Sequence, residues 1–111
     1  MRISLDFSDP TFVEDFSLAL PMVIADCGFS PPDEAEVVIS DNVATIERAL
    51  ESGAYGIHYC VCDDESAHRG ELPRASRYRL VLDEGGAGAS VLLGCVVDIA
   101  RQTGNAIRTQ D

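Results

Sequence analysis

Lysine and tryptophan are absent from this 111-residue chain, and all eight of its basic side chains are arginine. Without lysine the phosphate-binding loop of P-loop nucleotidases is excluded, because that motif needs a lysine on the β- and γ-phosphates. Long apolar runs are missing as well. The longest, "VLLGCVVDIA", is about half of the ~20 residues a membrane span requires and carries Asp98, so no transmembrane helix is expected. The opening "MRISLDFSDP" places Asp6 and Asp9 where a secretory leader would be apolar; secretion is not expected, and the expected location is cytoplasmic. The four cysteines, Cys27, Cys60, Cys62 and Cys95, lie in apolar surroundings rather than in the loop-rich context of a disulfide framework, and read as reduced thiols. Internal repeats and low-complexity tracts are absent too, so residues 1–111 are expected to form one domain.

What the chain has in excess is negative charge. The composition, 46% apolar and 24% charged, is that of a globular protein, yet the net charge is −11. The charge is unevenly spread. Residues 1–65 hold fourteen acids against Arg2 and Arg48, whereas residues 66–111 hold five acids and six arginines.

Periodicity places the elements. "RISLDF" alternates Ile3, Leu5 and Phe7 with polar residues, the pattern of a half-buried strand. After Asp9 and Pro10, a cap and first-turn pair, Phe12, Val13, Phe16, Leu20, Val23, Ile24 and Cys27 form a helical stripe closed by Gly28; Pro21 is expected to kink or break it near Leu20. "VVIS" reads as a second strand, and Asp41 or Asn42 as the cap of a second helix with Val43, Ile46, Ala49 and Leu50 inward and Gly53 at its end. "GIHYCVC" and "SRYRLVLD" read as strands three and four, paired across a long connector. A third helix capped at Ser90 runs to Thr103, apolar almost all round, and "NAIRTQ" is a possible edge strand. The predicted fold is a single-domain α/β (α+β) arrangement, a mixed sheet of four to five strands with three helices in the order βαβαββα(β). The first half, ending in "CDD", resembles the receiver order at the level of topology. That resemblance implies acids after strand one, a phosphorylatable Asp after strand three, a hydroxyl after strand four and a lysine after strand five. Asp6, Asp9 and Asp63 or Asp64 match the acids; "LVLDE" has no hydroxyl and the chain has no lysine, so the receiver's function is not carried over.

Chemistry concentrates in "YGIHYCVCDDESAHRG". On an extended strand His58, Cys60, Cys62 and Asp64 share one face, about 6–7 Å apart, and His68 follows in the connector. A metal or thiol site would use His58, Cys60, Cys62 and His68. Flat H-x-C-x-C spacing spreads the ligands too widely to converge on zinc, so neither metal nor cofactor is expected, and small cysteines filling a covered face are the plainer account. The turn "GGAGAS" before helix three has the form of an anion cradle, opposed by Asp83 and Glu84.

The acids Asp33, Glu34, Glu36, Asp41, Glu47 and Glu51, with Asp63, Asp64 and Glu65, are the candidate partner-binding set. Such a field repels nucleic acid and attracts basic proteins, so direct nucleic-acid binding is not expected. The expected function is that of a small acidic inhibitor without catalysis, a nucleic-acid mimic on a basic surface of the anti-restriction, anti-CRISPR or toxin-immunity kind. The alternatives are a receiver-like or ligand-sensing regulatory domain, and a Cys/His metalloprotein or thiol enzyme. The basic run Arg69, Arg74, Arg77 and Arg79 could contact nucleic acid, but against the total charge it is expected to pair with the acidic half, within the chain or between subunits. The apolar circumference of helix three means that it is either wedged between layers or meets a second chain, and the expectation taken is a homodimer or partner contact through Val91, Leu92, Val96 and Ile99.

Overall fold

The computed structural model describes residues 1–60, 77–82 and 88–107. Alternating apolar residues build β1 (Arg2–Asp6), and the Asp9 carboxylate, accepting the Thr11 N–H at 2.9 Å, starts α1 (Pro10–Val23). Then follow β2 (Gly28–Phe29), a 3-10 turn η1 (Pro32–Glu34), β3 (Val37–Ser40), α2 (Val43–Glu51), β4 (Tyr55–Cys60), β5 (Tyr78–Leu82) and α3 (Gly88–Thr103). The strands form one five-stranded sheet in the order β2-β1-β3-β4-β5. Every pairing is parallel. The α/β class with three helices is therefore as the periodicity indicates, but the expected mixed sheet is a parallel one.

Each departure has a local cause. β2 is two residues long, too short to leave an alternation, and the helical stripe runs on past the true end of α1 to Cys27. The helix continues through Leu20 to Val23 without a break there, because Pro21 stands in the last turn and Ile24 N–H still bonds Leu20 C=O at 2.9 Å. α3 begins at Gly88, ahead of the expected cap at Ser90. From the carboxyl-terminal segment, Ile107 makes an antiparallel bridge to Ile24, and Ala106 C=O accepts from Ala25 N–H at 3.1 Å; Arg108, Thr109 and Gln110 of "NAIRTQ" lie outside the described residues, as do Val61 and Cys62 of the expected third strand.

The helices cover both faces. α1 and α3 pack on the face that presents Ile3, Val37, Ile39, Ile57, Tyr59 and Val81. Phe7, Phe12, Phe16 and Tyr59 cluster on it, with ring centroids 5.5–6.2 Å apart. α2 covers the other face through Ile46, Ala49 and Leu50 on Val38. It approaches β4 so closely that a Cβ on Gly56 would stand 2.9 Å from Ile46 Cγ2.

Helix three requires a correction. Leu92, Val96 and Ile99 are fully buried in the core of this chain, with α3 packed on β4 and β5 beside α1, so they present nothing to a second molecule. Val91 alone of the four is exposed, at 49%. Larger apolar exposure lies on α1, at Leu18 (74%) and Met22 (68%). No helix among the described residues is long and apolar enough to cross a membrane.

Candidate functional site

In a parallel sheet every strand points the same way and the covering helices run back, so the carboxyl edge gathers strand ends and helix N-termini. Here that edge collects Asp6, Ser8 and Asp9 after β1, and Ser40, Asp41 and Asn42 after β3. It lies where the build direction reverses, between β1 and β3, since α1 and α2 leave to opposite faces. Open α/β sheets bind ligands at such points.

The chain fills much of this position with its own oxygens. Asp41 Oδ2 accepts the Ser8 N–H at 3.0 Å and ties the two loops together. Asp9 caps α1, and Asn42 Oδ1 caps α2 by accepting the Ala44 N–H at 3.0 Å. The Thr11 and Ala44 N–H groups are of the kind a phosphate would use; a carboxylate and an amide already hold them, and the added charge opposes an anion.

Beneath the crevice runs a polar row that periodicity alone does not reveal. Asp6 pairs in register with Ser40, and Ser40 with His58, so the three side chains stand side by side on the α2 face of the sheet. Ser40 and His58 are buried. The Ser40 hydroxyl accepts the Asn42 N–H at 2.9 Å and donates to Asp6 Oδ2 at 3.0 Å. Each residue sits on a different strand, and only the register, fixed by long-range pairing, brings them together.

His58 and Cys60 do share that face, as alternation along β4 requires, and both are buried. Cys62, Asp64 and His68 lie outside the described residues, and among the described residues no group of three His, Cys, Asp or Glu side chains could hold a metal. Cys27 and Cys95 are half-buried thiols. Burial raises the Cys27 thiol above its ordinary range, against the pull of the N-terminal ammonium. Burial likewise raises Cys95, with Arg79 lowering and Asp98 raising it further. Both are thus protonated near neutrality and poor nucleophiles. The "GGAGAS" turn is described only from Gly88 onward.

The acidic set divides by location. Asp33, Glu34 and Glu36 are exposed on η1 and the turn before β3, and Glu47 and Glu51 are exposed on α2. Asp41 is half-buried and serves the loop tie above; Asp63, Asp64 and Glu65 are outside the described residues. The acid that follows the third strand in chain order is Asp41, because β2 shifts the count, and not Asp63 or Asp64 as the receiver resemblance has it. Two of the four arginines of the basic run are described. Arg79 pairs at 3.7 Å with Asp98, in its own half of the chain, and Arg77 donates to Leu50 C=O at 3.0 Å, at the carboxyl end of α2. Arg69 and Arg74 are outside the described residues.

No protein-family model matches the chain, and neither does any curated protein or solved structure.

Proposed function

We propose that this chain is a small acidic docking protein that occupies a basic, nucleic-acid-binding surface of a partner protein and acts by covering it, as anti-restriction, anti-CRISPR and toxin-neutralising proteins do. The observation that supports it is the state of the acids. Asp33, Glu34, Glu36, Glu47 and Glu51 are exposed and enter no ion pair among the described residues, where the ion pair found is Arg79 with Asp98. Their field therefore extends outward unneutralised, repelling nucleic acid and accelerating encounter with a cationic surface. The chemistry at the carboxyl edge points the same way, since the chain's own side chains already hold an N–H at the start of α1 and another at the start of α2.

Competition tests this. A partner retained on the immobilised chain from an extract of its native host should be released by added duplex DNA or RNA. A partner that stays bound at saturating nucleic acid and keeps its own nucleic-acid affinity in the complex would overturn the proposal. A self-associated form is part of the same proposal only through exposed groups such as Leu18 and Met22, since the α3 core residues are unavailable.

One observation favours a second reading, a receiver-like or ligand-sensing regulatory domain: the parallel order β2-β1-β3-β4-β5 with a reversal between β1 and β3. A thermal-shift screen against divalent ions and nucleotides separates the two, with a saturable stabilisation expected for the regulatory domain alone.

A further inference from the structure

Parallel strands are ordinarily joined by a crossover helix. The link from β2 to β3 passes over β1 with η1 alone, and beside it the sheet keeps an open groove of about 480 Å³ along α2. That volume is within the ~300–1,000 Å³ typical of small-molecule sites. Asp6 of β1, Asp33 of η1, Thr45, Arg48 and Ala49 of α2, and Ser52 just past its end line it.

Its charges are ordered. Asp6 lies at the carboxyl end of β1, beside the first turn of α2, whereas Asp33 and Ser52 also line the neighbouring cavity at the strand starts. Along α2, Thr45 and its C-cap Ser52 span about 10 Å of the groove with Arg48 between them in sequence, while Asp6 and Asp33 enter it from β1 and η1. None of the three charged side chains enters an ion pair among the described residues. Asp6 is also held in place. The buried Ser40 hydroxyl, itself oriented by the Asn42 N–H, donates to Asp6 Oδ2, and Asp6 lines the groove.

We propose that this groove binds a free basic amino acid, its α-carboxylate on Arg48 and its two cationic groups on Asp6 and Asp33. Charge count selects that class. A neutral amino acid leaves one carboxylate unanswered, a diamine sets no anion against Arg48, and a phosphate meets two carboxylates. The guanidinium of arginine fits a carboxylate through two parallel N–H donors, which makes it the best-matched member. The site overlaps the docking face at Asp33 and is distinguished from it by Asp6 and Arg48, which the docking face does not use.

Titration calorimetry on the full chain tests it with L-arginine and three analogues that each lack one charge. Agmatine lacks the carboxylate, citrulline the side-chain cation, and Nα-acetylarginine the α-ammonium. Each deletion is expected to weaken binding about tenfold. Arg48→Ala should bring arginine down to the affinity of agmatine and leave agmatine no weaker than before, and Asp6→Asn should weaken arginine and agmatine alike. Arg48 is exposed, so its removal leaves the core intact. Absence of saturable arginine binding, equal affinities for arginine and citrulline, or an arginine-to-agmatine ratio unchanged in Arg48→Ala would each overturn the proposal.

Discussion

Gly56 carries the tightest packing requirement near the acidic face. Its missing side chain lets α2 rest on β4, and a methyl group there would stand 2.9 Å from Ile46 Cγ2. Gly56→Ala is expected to destabilise the fold by about 1–2 kcal/mol, the overpacking cost less what alanine returns in backbone entropy. A lowered urea midpoint with an unchanged slope would register it, and an unchanged midpoint would contradict the packing described. The half-buried thiols give a pH dependence whose sign follows from burial. Their folded proton affinity is raised, so the stability they contribute is full below the ordinary thiol value of 9.0 and is lost as pH rises through the higher folded values. Thermal melts of wild type and the Cys27→Ala/Cys95→Ala double variant should therefore diverge above pH 9, with the double variant losing less stability. Parallel curves across that range would contradict the assignment.

Among the elements, α2 matters most, because it carries Glu47 and Glu51 outward, Thr45 and Arg48 along the groove, and Ile46, Ala49 and Leu50 into the second core. Its start depends on the Asn42 side chain, and Asn42→Ala is expected to cost about 1 kcal/mol, seen as a lower midpoint in chemical unfolding. This helix was legible in the sequence, from its cap to Gly53, because a short amphipathic helix satisfies local rules and tertiary rules together. So were β1, β3 and the course of β4 and β5. β2 was not, since two residues carry no period, and its omission hid the sheet order that determines which acid follows the third strand. α3 was located correctly but misjudged in its exposure: Leu92, Val96 and Ile99 read as excess apolar surface until α1 and the sheet are seen to enclose them. The row Asp6, Ser40, His58 was illegible for a related reason, as each member looks ordinary in its own strand and only parallel register aligns them.

At the scale of the whole molecule, the net charge of −11 acts as a field rather than as a set of contacts. Carboxylates that face water repel one another, so replacing several should leave stability unchanged or raise it, while any basic partner loses the attraction. Exposed charges interact over a screening length of about 8 Å at physiological ionic strength, so salt should imitate the mutations. Reversing a single acid should weaken association modestly, because Glu34 and Glu36 lie by η1 and Glu47 and Glu51 on α2, and the field sums over all of them. The most direct test is the association rate with the captured partner, measured by stopped flow across a salt series for wild type and the Glu34→Arg/Glu36→Arg/Glu47→Arg/Glu51→Arg variant. A docking function requires a wild-type rate that falls steeply with salt and a folded variant that no longer associates; a salt-independent rate, or a variant that binds as fast as wild type, would show that the acidic face serves solubility alone.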